Sequence, residues 1–372
     1  MASMPTQDAA LQPISNPHTG IAISKIEEIL AANLDALIHT QHLSISICSR
    51  VTGNVQQIWF PTLRASEARK FTAILQILHL SREALFAGRV ITMRDIYYQD
   101  PELFGSQQYV NGLVDDIAFT FELGRHALNI VAADKGLIAG AVTVNFHNGT
   151  ALHCNPHHGQ NILIPADAHA ISGFDLGHIK WLLVIEKEPK ATFRGLAASR
   201  FHDSAAAGPG ILVTAKGYPD LSTRQFLHKL HTSCPLLAMY ALVDFDPHGV
   251  RIMLTYKDGS RSLQHEQNAT LDPLSWLGPR SIDVLEARMG QGSTARPVDT
   301  TLPLTLGDRK EAVRILSLKM GDGDEAMENL DLIRELQIML LFNAKAEIQA
   351  VDDAGDLTKW LDNAITKAME IA

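Results

Sequence analysis

The 372-residue sequence predicts a mixed α+β and α/β protein of two folded units, a winged helix-turn-helix unit followed by a unit built on a parallel sheet. Three observations predict it. Between Ser66 and Gly149 the apolar spacing is helical, then changes to short β-like runs. Between Lys180 and Gly259 three continuous apolar runs alternate with helix-compatible stretches, the βαβαβ order of parallel strands joined by helical crossovers. Each of those runs ends in residues able to do chemistry: Glu186, Lys216-Gly217, and Asp244-Phe245-Asp246.

Met1 to about Thr19 is rich in Pro, Ser, Asn and Gln and reads as a disordered tail. From Ile21 to Leu37 the residues Ile23, Ile26, Leu30, Leu34 and Leu37 recur at steps of three and four, so an amphipathic helix is expected, packed on the body of the protein, the commoner case, or on a partner chain. A helix from Ser66 to Leu80 carries Phe71, Ile74, Leu75 and Leu78 on one side. Thr92 suits the cap of a short helix running to Tyr98, and a third helix is expected from Gln108 to Leu123. Leu128 to Val131 and Ala141 to Phe146 then read as a hairpin, ending in a His147-Asn148-Gly149 turn. Three helices and a hairpin are the winged-helix pattern.

In the second unit the strands are Trp181 to Ile185, Gly210 to Thr214 and Leu237 to Val243. The helices between them are Ala191 to Phe201 and Leu221 to His231, and Val250 to Tyr256 begins another element. The expected organisation is 1–65 as tail and helix, 66–150 as the winged-helix unit, 151–178 as linker and 179–372 as the sheet unit with a C-terminal extension.

Composition narrows the function classes. The chain is 46% hydrophobic and 20% charged, and no apolar run reaches the roughly 18 residues of a membrane helix. Its first residues lack a basic stretch followed by an apolar one, so no secretory signal is read and an intracellular protein is expected. Cys48, Cys154 and Cys234 are too few and scattered for a disulfide framework. A net charge of −9 speaks against a generic nucleic-acid coat, while Arg94, Lys135, Lys180, Lys187, Lys190, Arg194, Lys216, Arg224 and Lys229 allow a local basic cleft. The acidic residues gather late, from Asp322-Gly-Asp324-Glu325 to Asp331.

In parallel sheets the ligand site lies beyond the carboxyl ends of the strands, where Glu186, Lys216, Asp244 and Asp246 converge. Residues two apart in extended backbone face the same way, so Asp244 and Asp246 direct both carboxylates into one space. A few carboxylates with open water positions suit Mg²⁺. Taken alone, Asp244-Phe245-Asp246 also reads as a helix cap and turn, reinforced by Pro247 and Gly249. In the first unit, Arg94 lies one helical turn from Tyr98 and nearly as close to Tyr97. A phenol has a pKa near ~10 and attacks poorly at neutral pH without help. A guanidinium at that spacing orients a phosphate or stabilises phenolate, and spacing does not choose between the tyrosines.

Arg94-Asp-Ile-Tyr-Tyr98, with Glu102-Leu-Phe104 following, resembles the nucleophile motif of the meiotic double-strand-break proteins related to the topoisomerase VI A protein. Lys135-Gly-Leu-Ile-Ala-Gly140 resembles a second block of that family. Val184-Ile-Glu-Lys187, Lys216-Gly-Tyr-Pro-Asp220 and Asp244-Phe-Asp-Pro-His-Gly249 resemble the strand-end blocks of its Toprim metal-binding domain. Trp276-Leu-Gly278, Leu302-Pro-Leu-Thr305 and Lys345-Ala-Glu-Ile-Gln349 match later positions. The blocks keep the family's order from about Ser66 to Ala350. Glu188-Pro189-Lys190 lengthen the connection after Glu186 relative to the family pattern, and nothing before about Pro61 matches it.

The resemblance implies a type IIB topoisomerase-like transesterase that makes double-strand breaks in DNA and initiates meiotic recombination. It implies Tyr98 as the nucleophile, linked to a 5′ phosphate, with Arg94 assisting. Glu186, Asp244 and Asp246 carry over as Mg²⁺ ligands, and Lys135, Lys216 and Tyr218 as DNA-binding residues. It also implies a homodimer at the break, each tyrosine meeting the metal site of its mate, a topoisomerase VI B-like partner with accessory meiotic proteins, and a nuclear location. No Walker-type phosphate loop is present, so ATP use belongs to the partner. Two alternatives stay open: a DNA-binding Toprim protein whose cleavage is silent or partner-dependent, and a metal-dependent nuclease that does not use the tyrosine. Two other patterns are set aside. His153-Cys154 with His157-His158 lacks a second zinc-spaced pair and reads as a surface loop, and Ala205 to Gly210 is a plain connector.

Overall fold

The computed structural model describes residues 17–132, 135–154, 162–186, 192–260, 263–264, 266–290, 301–320, 329–352 and 357–371. The expected tail before residue 17, His157-His158, Lys187, Glu188-Pro189-Lys190 and the run from Asp322 to Glu325 lie outside these residues.

Helix α1 (Pro17–Ile38) leads into an antiparallel hairpin of β1 (Leu43–Cys48) and β2 (Val55–Phe60), which the periodicity did not announce. Helix α1 packs inward along Ala22, Ile26 and Asn33, so the predicted stripe is turned and Leu34 and Leu37 are exposed. The cause is polar. Asn33 accepts a hydrogen bond from Ser44 N–H and donates to the Ser44 carbonyl, both 3.2 Å, which fixes the helix on β1.

The helices α2 (Ala65–Phe86), α3 (Met93–Gln99), α4 (Pro101–Phe104) and α5 (Gln107–Phe121) follow. Phe71, Ile74, Ile77, Ile96, Val110 and Ile117 join residues of α1 and β1 in one core. The expected hairpin is paired differently. β3 (Ile91–Thr92) takes β4 (Ile130–Val131) as a parallel neighbour, while Thr143–Phe146 pairs elsewhere. Residues 130–131 lie beside β3 because the 3-10 turn Arg125–Leu128 returns the chain under α2, where Ser81 Oγ donates to the Leu128 carbonyl.

β5 (Leu137–Ala139) joins the large sheet, and β6 (Thr143–Phe146), β7 (Ala151–His153) and β9 (Ile171–Asp175) form a small one, with β8 (Ile162–Leu163) at the far edge of the large sheet. The large sheet has the order β13-β12-β10-β11-β5-β8, with β10 (Trp181–Ile185), β11 (Gly210–Thr214), β12 (Ala238–Leu242) and β13 (Ser275–Gly278) parallel. β5 runs antiparallel to β11. Gly140 takes φ 153° beside it, and a Cβ there would come within 2.9 Å of the Gly210 carbonyl. The second matched block is therefore glycine-bearing for packing reasons.

Alternate residues of the buried strands feed two cores. Leu182, Val184, Val213 and Met239 face the helices α8 (Leu221–Ser233) and α9 (Pro247–Lys257). Trp181, Leu183, Leu212 and Tyr240 face α6 (Phe193–Ala198), α7 (Phe201–Ser204) and the C-terminal helix Leu357–Ile371. The first crossover covers one face and the second the other, so β10 is the strand at which the order reverses, the position where α/β sheets open a ligand crevice. After β13 come α10 (Ser281–Gly290), β14 (Thr301–Pro303), α11 (Leu306–Lys319), α12 (Leu330–Phe342), β15 (Ala344–Ala346) and α13 (Gln349–Asp352), and Leu357–Ile371 is α14. Cys154 is wholly buried, its thiol pushed up to about 12 by burial, so this member of the zinc-like group is core.

A histidine group lies where three segments meet. The His126 ring stacks on His169 at 4.1 Å between centroids, with His18 edge-on at 6.3 Å. Burial first, and then the charges of His169 and His18, lowers the His126 pKa from 6.5 to about 4. The unfolded chain binds that proton at the ordinary value, so stability present near pH 7 is lost as pH falls from about 6.5 toward 4. Urea midpoints are expected to fall between pH 7 and 5, and His126→Asn should flatten the slope; an unchanged slope refutes this.

Candidate active site: an exposed tyrosine and an acidic sheet edge

The helix α3 is short, and its start is fixed by its own sequence. Thr92 caps it by accepting from Asp95 N–H at 3.0 Å, while the Asp95 carboxylate accepts from Thr92 N–H at 3.0 Å. Met93 and Ile96 are buried, and one turn further Tyr97 packs half-buried against the same core. The next residue points away from it. Tyr98 is 60% exposed, with the Arg94 guanidinium 5.6 Å from its ring centroid and the Tyr97 ring edge-on at 5.2 Å. The two tyrosines, equivalent by spacing, are thus distinguished by burial.

The acidic residues sit at the carboxyl edge of the parallel strands. Glu186, 7% exposed, directly follows β10, the strand flanked by β11 and β12. Its N–H donates to the Leu242 carbonyl at 3.0 Å, its carbonyl accepts from Gly217 N–H at 2.7 Å, and its Oε2 accepts from Asp244 N–H at 2.8 Å. One residue therefore links three strand ends. Asp244, 3% exposed, accepts from Ile348 N–H through Oδ1 at 3.0 Å. Asp246 caps α9, its Oδ1 accepting from Gly249 N–H at 2.6 Å, so the helix-cap alternative holds for it and fixes its carboxylate at the same edge. Gly249 is there because nothing larger fits. A Cβ would collide with the Asp244 carbonyl and lie 3.0 Å from Glu186 Oε2.

Lys216, two residues beyond β11, lies in the left-handed region at φ 60°, a conformation costing roughly 1–2 kcal/mol for a residue with a side chain. Tyr218 follows, half exposed. Burial first, then Glu311, with Asp246 and Glu186 adding, raises its pKa, which sets its phenol within the field of the acidic edge. Lys135 reaches the same loop, its Nζ donating to the Tyr218 carbonyl at 3.0 Å. Glu186, Asp244, Asp246, Lys135, Lys216 and Tyr218 are thus one neighbourhood. Tyr98 and Arg94 stand exposed on α3, whose buried Met93 and Ile96 belong to the helical core, and make their ring contacts within that helix.

The donor set at the edge is carboxylate oxygen, which suits a hard cation. Among the described residues no three His, Cys, Asp or Glu side chains form a ready metal cage. Sequence reasoning missed the supports: Ile348 N–H, and the buried Asp308, whose Oδ2 accepts from Lys345 Nζ at 2.8 Å and whose Oδ1 lies 3.5 Å from His248 Nε2. The only signal was the Lys345-Ala-Glu-Ile-Gln349 block, matched without a role.

The family model for the Toprim domain of Topoisomerase 6 A proteins and Spo11 matches residues 181–361, and that for Type IIB DNA topoisomerase matches residues 69–130. The sheet unit is thus a Toprim domain, and the class is that of the type IIB topoisomerase A proteins. The chain is 36% identical over 279 residues to the meiotic recombination protein rec12 of Schizosaccharomyces pombe, covering 75% of this chain and 72% of that one. It is 33% identical over 285 residues to human meiotic recombination protein SPO11, covering 76% and 67%. The DNA topoisomerase 6 A protein of Arabidopsis thaliana is 29% identical over 348 residues, covering 89% and 76%. The chain belongs to the family of DNA transesterases formed by Spo11 and the topoisomerase 6 A proteins.

Gly249→Ala is expected to lose roughly 1–3 kcal/mol of stability by overpacking against the Asp244 backbone. Chemical denaturation checks it, and an unchanged midpoint would show that the edge has room to spare.

Proposed function

We propose that this protein is the DNA-cleaving transesterase of a meiotic double-strand-break machine. The observation that carries the reading is the contrast within α3: Tyr98 is exposed beneath an arginine, while its neighbour is anchored in the core. In this reading the Tyr98 oxygen attacks a backbone phosphorus. The O–P bond to tyrosine forms, the bond to the 3′ oxygen breaks, the phenol proton is lost and the leaving oxygen gains one. The protein remains linked to the 5′ phosphate and the DNA end carries a 3′ hydroxyl. Arg94, one turn away, offsets charge on the phosphate or on the phenolate.

Glu186, Asp244 and Asp246 would hold Mg²⁺. Their oxygen-only donor chemistry fits this hard cation. Once bound, the ion neutralises phosphate charge and fixes the strand. Lys135, Lys216 and Tyr218 line the DNA path beside it. The tyrosine and the carboxylates are built on different cores, which agrees with a homodimer in which each tyrosine works at the acidic edge of its mate. In this reading the substrate is double-stranded DNA, the partners are a topoisomerase VI B-like protein and accessory meiotic proteins, and the site of action is the nucleus; membership of the family supports it.

Covalent protein–DNA adducts, isolated after denaturation, separate the readings. Tyr98→Phe is expected to abolish them and Tyr97→Phe to leave them. Adducts that persist in Tyr98→Phe sink the assignment; metal-dependent cutting without adducts favours a nuclease, and binding alone a silent scaffold. Glu186→Ala should raise the Mg²⁺ needed for DNA binding about tenfold; an unaltered Mg²⁺ dependence counts against that ligand.

A further inference from the structure

Asp244 is held from a long way off in sequence. Its Oδ1 accepts from Ile348 N–H, 104 residues downstream. Phe245, between the two aspartates, exchanges both backbone hydrogen bonds with Ala346, at 2.9 and 3.0 Å. The aspartates therefore flank a single antiparallel bridge to the last residue of β15. That strand has only three residues, with β14 as its other neighbour, and pairing of this length is marginal on its own.

The middle residue of β15 supplies the anchor. Lys345, half-buried, donates through Nζ to Asp308 Oδ2 at 2.8 Å. Asp308 is 3% exposed and sits in the first turn of α11, where its carboxylate also accepts from Thr305 N–H at 2.7 Å and Thr305 Oγ1 at 2.8 Å. Its other oxygen faces His248 of α9, the helix that Asp246 caps. One buried carboxylate thus ties together β15, α11 and α9, the elements that border Asp244 and Asp246.

We infer that Lys345 is a positioning residue for the Asp244 and Asp246 pair, acting through Asp308 and the β15 strap, which rests on the reading of that edge as a cation site. Removing the ammonium leaves Asp308 buried beside Thr305 without its cation. The carboxylate is then drawn toward solvent or protonated, α11 releases β15, and the Ile348 N–H no longer holds Asp244. The aspartates remain present and lose their fixed direction.

Mn²⁺ binding to the full chain, followed by electron paramagnetic resonance of the free ion, tests this without any measurement of cleavage. Lys345→Met is expected to raise the Mn²⁺ midpoint about tenfold, the usual cost of losing an outer support of a metal ligand, and Lys345→Arg to restore it. A Lys345→Met midpoint equal to wild type, with Glu186→Gln weakened in the same assay, overturns the inference. A Glu186→Gln midpoint equal to wild type overturns the cation reading itself. Circular dichroism melting without metal establishes that the variants fold; should Lys345→Met not fold, Lys345→Gln is read by the same criterion.

Discussion

Glu186 is the residue on which the arrangement of the sheet edge depends. Its backbone bonds to one neighbouring strand end through N–H and to the other loop through its carbonyl, and its side chain takes the N–H of Asp244. A buried carboxylate is costly unless hydrogen-bonded or paired. Here it is partly compensated by an amide that must point inward for the chain to turn from β12 into α9. The same bond that lowers the cost of burying Glu186 therefore sets where Asp244 begins. Gly249 completes the constraint, since only a residue without Cβ lets the first turn of α9 come this close.

The proposed nucleophile, Tyr98, obeys the opposite rule. A phenol that is to reach a phosphodiester must stand clear of the core, yet its backbone must be rigid enough to aim it. The capping box at Thr92 and Asp95 and the buried Met93 and Ile96 supply the rigidity, and the side chain itself is left to the surface. The acidic half is rigid because it is buried; the tyrosine half is rigid because its helix is anchored just before it.

Much of this was legible in the sequence. The parallel strands are apolar on both faces, so Trp181 to Ile185 and Gly210 to Thr214 read as continuous runs with sharp ends, and the residues at those ends were found together at one edge. Local chemistry was equally plain, as at Thr92. What stayed hidden depends on contacts between distant segments. Nothing near Asn33 announces that it meets Ser44 and turns α1 away from its apparent stripe. Ile130 and Val131 find β3 rather than residues 143–146 because a 3-10 turn redirects them. Asp308 is read locally as a helix cap, and its second role appears only when β15 is folded beside it.

The junction between the helical unit and the Toprim domain bears on how the two halves meet. Arg125, 8% exposed, pairs with Asp115 of α5 and donates its backbone N–H to Glu266 Oε1 at 3.1 Å, while Arg50 reaches Asp115 at 3.1 Å. Burial raises the Glu266 pKa and lowers that of Arg224, to about 10, so these charges sit in a poorly solvated seam. Opening the seam would separate Arg125 from Glu266 and give up the hydrogen bond and ion pair between them. A swing of the helical unit that carried Tyr98 onto the acidic edge of its own chain would have to open this seam. In the proposed homodimer a second chain would bring its tyrosine to the edge with this seam intact.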